Sequence, residues 1–405
     1  MSQLPEEWEN TSLGKIATFF KGKGVAKKDI SIEGLECIRY GELFTTYSEN
    51  ITKIYSRTNS IKDMVLSKSN DTLMPTSDVT PRGLATASAL SKEGVILGGD
   101  ILIIRSDRLL NSYLSYYIRN HKPDIMKLVT GSTVYHIYGN DMKKFRINVP
   151  PLEEQKKIAD ILSTVDQKIA FVEDNIAQTK ELKKGLRQTL FNTGINHSSF
   201  KNTDLGKCPE SWEIKKLGDI TTLTAGGTPS TKIKEYWTPK EIPWLSSGEV
   251  NKKIVFNTEN KISVVGLDNS SAKLVPKNSV LIGLAGQGKT RGTVAITEIE
   301  LSTNQSVASI FPNDNLDMYF IYHNLDSRYE EIRAMSTGVG GRGGLNLAIL
   351  KSIKIALPPI EEQNEISKIL KTVDKKLEVL KDKKESFEEL KKGLMQKLLT
   401  GEVRV

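Results

Sequence analysis

Two cysteines in 405 residues, Cys37 and Cys208, are too few and too far apart for a disulfide framework or a thiolate metal site. They fit a reducing compartment, and a cytoplasmic location is expected. No run of about 18 apolar residues occurs, so no membrane span is expected. The opening, MSQLPEEWEN, is polar and acidic, unlike a secretory signal. Histidine is scarce, and His121, His136, His197 and His323 show no ligand spacing such as H-E-x-x-H, so no metal is expected in this chain. A G-x-S-x-G elbow is missing, as is the Asn-Pro-Pro-Tyr or Asp-Pro-Pro-Tyr motif of amino-methyltransferases. Glu154-Gln155-Lys156 and Glu213-Ile214-Lys215 are weak nuclease-like triplets, of the kind that chance produces in a chain rich in Lys and Glu. These absences point away from catalysis.

Hydrophobic residues make up 38% of the chain, enough for globular folding, and the length implies two or more cores. The net charge of +8 favours a polyanionic partner, because each phosphate contact releases condensed counterions. Part of that charge also solvates long helices.

The chain is written twice. Pro150-Pro151-Leu152-Glu153-Glu154-Gln155 returns 208 residues later as Pro358-Pro359-Ile360-Glu361-Glu362-Gln363. At the same offset Glu181-Leu182-Lys183-Lys184-Gly185-Leu186 returns as Glu389-Leu390-Lys391-Lys392-Gly393-Leu394. Near the front of each copy, Trp8 and Leu13-Gly14 correspond to Trp212 and Leu217-Gly218. Tyr40-Gly41-Glu42-Leu43 corresponds to Ser247-Gly248-Glu249-Val250, and Pro81-Arg82-Gly83 to Thr290-Arg291-Gly292. A tandem duplication invites a pseudo-two-fold arrangement. Each copy opens with about 150 residues of short β-branched runs punctuated by turn residues, and closes with about 40 helical residues. The globular part has diverged, while the helix is nearly identical.

In the first helix, apolar residues fall at Ile158, Leu162, Val165, Ile169, Val172 and Ile176; in the second, at Ile366, Leu370, Val373, Leu377 and Leu380. The alternating steps of 4 and 3 are a coiled-coil seam. Lys384 interrupts it where Ile176 stands in the first copy. Forty helical residues extend about 60 Å. A helix of that length with a narrow apolar stripe needs a partner, and the expected partner is its own repeat, packed antiparallel. The expected fold is α+β, with two similar α/β domains separated by two long antiparallel coiled-coil helices. The boundaries are 1–149 and 195–357 for the domains, the latter beginning with a linker over 195–203, and 150–194 and 358–405 for the helices.

Gly283-Leu284-Ala285-Gly286-Gln287-Gly288-Lys289-Thr290 satisfies the phosphate-loop pattern G-x-x-x-x-G-K-[ST]. Such a loop must open a helix whose N-terminus receives phosphate, whereas Arg291-Gly292-Thr293-Val294-Ala295-Ile296 reads as a strand. A Gly-rich hairpin presenting Gln287, Lys289, Thr290 and Arg291 to base edges and phosphates is the better reading. A second Gly-rich segment, residues 336–346, carries Arg342 and Asn346. Its counterpart carries Tyr135 and His136, and Thr80 and Arg82 lie at the position equivalent to the first hairpin. These ten residues are the candidate DNA contacts.

Two variable modules, each closed by Pro-Pro-[Leu/Ile]-Glu-Glu-Gln and a helix ending Leu-Lys-Lys-Gly-Leu, resemble the specificity subunits of type I restriction–modification systems. The stretch Gly286–Gly292 is similar to segments of that family's recognition domains. The resemblance implies two target recognition domains, each reading half of a bipartite, asymmetric site on double-stranded DNA. It implies two methyltransferase subunits docked on the helices, and motor-nuclease subunits that join to restrict unmethylated DNA. S-adenosylmethionine, ATP and Mg²⁺ would belong to those partners, with no cofactor in this chain. Three alternatives remain: a specificity chain of a related type II system, a nucleotide-hydrolysing protein built on residues 283–290, and a coiled-coil scaffold with two domains that do not bind DNA.

Overall fold

The computed structural model describes residues 5–60, 62–286, 288–336 and 344–405. The chain divides into two compact units, one of residues 1–174 and 381–405, the other of residues 175–380.

In the first unit a four-stranded antiparallel sheet runs in the order Thr18–Lys21, Ile101–Arg105, Asp71–Pro75, Ser88–Leu90. Its two central strands are buried on both faces, and their side chains alternate between two cores. Leu73, Ile101 and Ile103 face a second sheet and pack with Ile38, Leu43 and Leu97. Met74, Leu102 and Ile104 face the other way, onto Tyr113, Tyr116 and Tyr117 of the domain helix Asn111–Asn120. The second sheet is Ile30–Ser31, Ser56–Thr58, Leu35–Ile38 and Ile96–Leu97. Glu9–Ser12 pairs with Arg146–Val149 and so closes the domain just before Pro150-Pro151.

The second unit repeats this plan. Leu223–Ala225, Val307–Ile310, Val280–Gly283 and Val294–Thr297 form the corresponding sheet, extended by Ile254–Val255. Val280, Ile282, Val294 and Ile296 pack with Phe320 and Ile321 of the domain helix Met318–Ser327, while Leu281, Ala295 and Val307 face Leu245, Val275 and Leu301 on the opposite side. Glu213–Lys216 and Lys354–Leu357 close this domain just before Pro358-Pro359. One element has no counterpart among the described residues of the first unit: a hairpin of Phe200–Thr203 and Gly206–Pro209, within and just after the linker.

Two long helices, Leu152–Thr193 and Ile360–Leu398, each run through both units. Pro at the first turn and Glu-Glu beside it suit the helix N-terminus, through a fixed φ and the helix dipole. In the first unit Asp166 pairs with Lys391 and Glu173 with Lys384. A step of seven forward on one helix is seven back on the other, so the packing is antiparallel. In the second unit Lys183 pairs with Asp374, and Leu190 shares a core with Ile366 and Leu370. Every seam residue named above is buried or half-buried. Lys384 does not break the seam, because Glu173 and Glu388 neutralise it at 2.8 and 3.4 Å.

The helix starts explain the repeated hexapeptide. Gln155 is fully buried; its Nε2 donates to the carbonyls of Arg108 and Pro150, both at 2.9 Å, and its Oε1 accepts from the N–H of Leu110 at 2.9 Å. Gln363 makes the same clamp, with Nε2 to Pro358 O at 2.9 Å and Oε1 from Asp317 N at 3.0 Å. Each glutamine thus ties its long helix to the loop that launches the domain helix.

Candidate nucleic-acid interface

In the first unit, Ser77–Asp78 pairs antiparallel with Tyr135–His136, with Tyr135 opposite Asp78 and His136 opposite Ser77. The chain then turns through a short 3-10 segment, Pro81–Leu84. Thr80 Oγ1 donates to Asp78 Oδ2 at 2.6 Å, which fixes the entry to that turn. Gly83 packs closely there: a Cβ would fall 1.9 Å from Asp78 Oδ2, so that carboxylate would have to shift. Thr80 and Arg82 are exposed, and Tyr135 and His136 are half-buried. The His136 ring stacks on Tyr138, with centroids 5.7 Å apart. The structure therefore gathers all four candidates into one patch. Beside them lies a cleft of about 750 Å³ walled by Tyr40, Phe44, Val79 and Val134. The sequence reading missed these apolar residues. Val79 is 72% exposed, and Val79 and Val134 carried no motif that could have marked them.

The second unit presents a different surface on the same scaffold. The connection between Val280–Gly283 and Val294–Thr297 is a hairpin, held by Gly292 N to Gly283 O at 2.9 Å and Gly283 N to Thr293 O at 3.0 Å. No helix follows Thr290; the next regular element is the strand Val294–Thr297. A phosphate cradle at a helix N-terminus is thus not what this segment builds. Lys289 is exposed and Thr290 half-buried at the hairpin end. Leu345 N donates to Leu284 O at 2.9 Å, which brings Asn346 close to the base of the hairpin.

Of the other expected contacts, one is buried, one caps a helix, and two fall on undescribed positions. Arg291 is only 9% exposed, unlike its exposed counterpart Arg82. Asn346 caps the helix Leu347–Ser352, with its Oδ1 accepting from Ile349 N at 2.9 Å, so that oxygen is already engaged. Gln287 and Arg342 lie outside the described residues.

Arg333 and Tyr329 brace the hairpin from a neighbouring helix and were not singled out in the sequence. Arg333 Nη1 donates to Gly288 O at 2.8 Å and to Arg291 O at 3.3 Å, and Tyr329 OH donates to Lys289 O at 3.2 Å. Among the described residues no group of three His, Cys, Asp or Glu could hold a metal ion, and no helix is long and apolar enough to cross a membrane.

A cluster of charges also forms away from these loops, where the first domain meets the long helices. Lys391 reaches Glu49 at 2.7 Å and Asp166 at 2.6 Å, and Tyr116 OH donates to Asp166 at 2.5 Å. Burial, together with the nearby Glu49 charge, raises the Asp166 pKa. Burial pushes Glu49 the same way, but Arg119 and Lys391 overcome it and hold that carboxyl below its ordinary value.

Residues 5–181 and 209–389 match the family described as Type I restriction modification DNA specificity domain. The type I restriction enzyme MjaVIII specificity subunit of Methanocaldococcus jannaschii is 28% identical over 427 residues, covering 100% of this chain and 94% of the relative. The type I restriction enzyme EcoR124I/EcoR124II specificity subunit of Escherichia coli is 32% identical over 164 residues, or 40% of this chain and 41% of the relative. Among solved structures, the type I restriction–modification S subunit from M. genitalium shares the fold, with a TM-score of 0.65 at 16% identity over 98% of this chain and 97% of that one. With a repeated α/β domain, paired long helices and both copies matched to one family, this chain belongs to the type I restriction–modification DNA specificity family.

Proposed function

We propose that this chain is the sequence-reading, non-catalytic subunit of a type I restriction–modification enzyme, and that each unit reads one half of a bipartite, asymmetric DNA site. The observation that carries the reading is the contrast between the two loop surfaces on one repeated scaffold. Thr80, Arg82, Tyr135 and His136 gather in the first unit, while a Gly-rich hairpin with Lys289 and Thr290 stands in the second. Unlike surfaces on like scaffolds suit two unlike half-sites. Cationic side chains contact phosphates and set register, and polar side chains discriminate base edges by about 1–3 kcal/mol for each good pair.

Adenine methylation requires the base to leave the stack, and in this reading that chemistry belongs to two methyltransferase subunits docked on the long helices. Motor-nuclease subunits complete the assembly. S-adenosylmethionine, ATP and Mg²⁺ serve those partners, and the assembly works in the cytoplasm. The test is reconstitution with a methyltransferase subunit of such a system. The complex should protect a two-part site from nuclease digestion. Equal binding to all sequences would overturn the reading.

A further inference from the structure

Val79, Val134 and Tyr40 are 72%, 43% and 41% exposed, and all three line the cleft beside Thr80, with Phe44 as a half-buried fourth wall. Tyr40 and Phe44 meet edge to face, with ring centroids 6.3 Å apart. Single exposed apolar residues are ordinary, but three that converge from separate stretches of chain on one concavity mark a contact surface. The charges around them divide by place. Arg82 is exposed on the turn at the edge of the cleft, and Lys122 is exposed on the helix Lys122–Met126, which packs against that turn. Within the cleft stands Asp78, whose Oδ2 accepts from Thr80 Oγ1 at 2.6 Å. Cations at the rim attract a phosphate backbone, while a carboxylate within repels phosphate. A duplex held at the rim therefore offers base edges, not backbone, to the cleft.

The second unit keeps the frame and lacks these walls. Glu42 and Glu249 are both buried, and each accepts from the backbone N–H three residues before it, Arg39 at 2.8 Å and Ser246 at 2.9 Å. That shared contact fixes the register in which Tyr40 corresponds to Ser247 and Phe44 to Asn251. Phe44 and Asn251 also lie alike beside the turn. Phe44 Cε1 is 2.9 Å from where a Cβ on Gly83 would stand, and Asn251 Nδ2 is 3.5 Å from Thr290 Oγ1. With Pro81-Arg82-Gly83 set against Thr290-Arg291-Gly292, Val79 corresponds to Gly288, which has no side chain.

Among the four bases, thymine alone offers a methyl group in the major groove. We propose that the cleft of Tyr40, Phe44, Val79 and Val134 takes a thymine methyl, so that the first unit reads its half-site partly by apolar contact. The second unit, with Ser247, Asn251 and Gly288 at the equivalent places, makes no such contact there. The proposal names the base chemistry of the DNA-reading function proposed above and rests on it. Burial of one methyl group gives about a fourfold preference for thymine over uracil at that position.

The experiment uses the full-length chain in its reconstituted complex and the two-part site which that complex protects. Each thymine of the site, on either strand, is replaced in turn by deoxyuridine, which lacks only the C5-methyl, and binding is measured. At one or more thymines of one half-site, binding should weaken about fourfold. Val79→Ser should leave thermal unfolding of the free chain unchanged, weaken binding to the thymine site and erase the deoxyuridine penalty, with the other half-site unaffected. Val79→Ile, still apolar and β-branched, should keep the penalty. A selective complex indifferent to every replacement overturns the proposal and leaves the DNA reading standing. So does a penalty that Val79→Ser and Val134→Ser both leave intact. Loss of subunit assembly in Val79→Ser, with no change at any thymine, assigns the cleft to a protein partner and also overturns the proposal. Equal binding of all sequences by the unmodified complex removes the DNA reading and the proposal with it.

Discussion

Trp8 donates its indole N–H to Glu154 Oε2 at 3.1 Å, joining the first strand of the domain to the first turn of a long helix. Trp212 does the same to Glu362 Oε2 at 3.0 Å in the second unit. Glu154 also accepts from Arg404, at 2.9 Å, near the end of the chain. Burial opposes the charge on Glu154, but Arg404 and Trp8 hold its carboxyl below the ordinary value. A depressed carboxylate stabilises the fold above its unfolded-state pKa, and that stability is lost as pH falls through the folded-state value. Trp8→Phe should cost about 1.5–3 kcal/mol, the worth of a hydrogen bond to a charged group, with Arg404 still donating to the same oxygen. Urea unfolding of the first unit's transition measures it, and a Glu154→Gln variant should show a flatter acid limb.

Lys391 gives a second prediction. It answers one buried carboxylate, Glu49, and one half-buried, Asp166, so Lys391→Met should destabilise the first unit by about 3 kcal/mol. Lys156, whose pair with Asp160 is exposed, is the contrast: Lys156→Ala should change stability by no more than about 0.5 kcal/mol. Equal losses in denaturant unfolding would contradict the burial argument.

His323 predicts an acid sensitivity of the second unit. It is 0% exposed, and burial pushes its pKa down to about 2, with Lys183 and Arg187 adding repulsion and Asp326 opposing them. Its ring is 3.4 Å from Arg187 Nη2 and 3.6 Å from Asp374 Oδ2. The unfolded chain therefore binds a proton below about pH 6.5 that the folded chain refuses. Stability should fall by up to about 1.4 kcal/mol per pH unit as pH drops below that value. His323→Gln should flatten the slope between about pH 6.5 and pH 4, whatever it does to stability under mildly alkaline conditions. Denaturant midpoints across that range provide the check.

Exposure separates the arginines at equivalent positions. Arg82→Ala and Lys289→Ala should each weaken DNA binding and reduce the salt slope by about one unit for every phosphate no longer neutralised. Each should act at its own half-site. Arg291→Ala should instead lower the melting temperature of the free chain, because Arg291 is buried at the hairpin base. Binding measured from about 50 to 300 mM salt, a range wide enough to separate phosphate contacts from others, beside thermal scans of the free chain, distinguishes the two outcomes.

The duplication and the helix seam were legible because both are periodic: Ile158, Leu162 and Val165 announce their buried face by spacing alone. The Gly-rich segment at 283–292 was readable as a hairpin because Thr293-Val294 continues as strand. The exposure of individual loop residues was not readable. Arg82 and Arg291 are the same residue type at equivalent places, and only the neighbouring Arg333 and Tyr329, some 40 residues away in sequence, brace one of the two turns from below. The seam charges were equally hidden, since Asp326 and Lys253 look like ordinary surface residues until the fold pairs Asp326 with Lys253 and with Arg187 of a long helix.

The glutamine clamp has a consequence for inheritance. Gln155 and Gln363 grip carbonyls and amides, which the backbone supplies whatever the side chain, so the anchor places little demand on neighbouring residue types. Mutation and recombination can rewrite the loops between one anchor and the next while the attachment survives. In the reading proposed above, a change confined to those loops would alter the DNA preference and leave the attachment to the helices as it was.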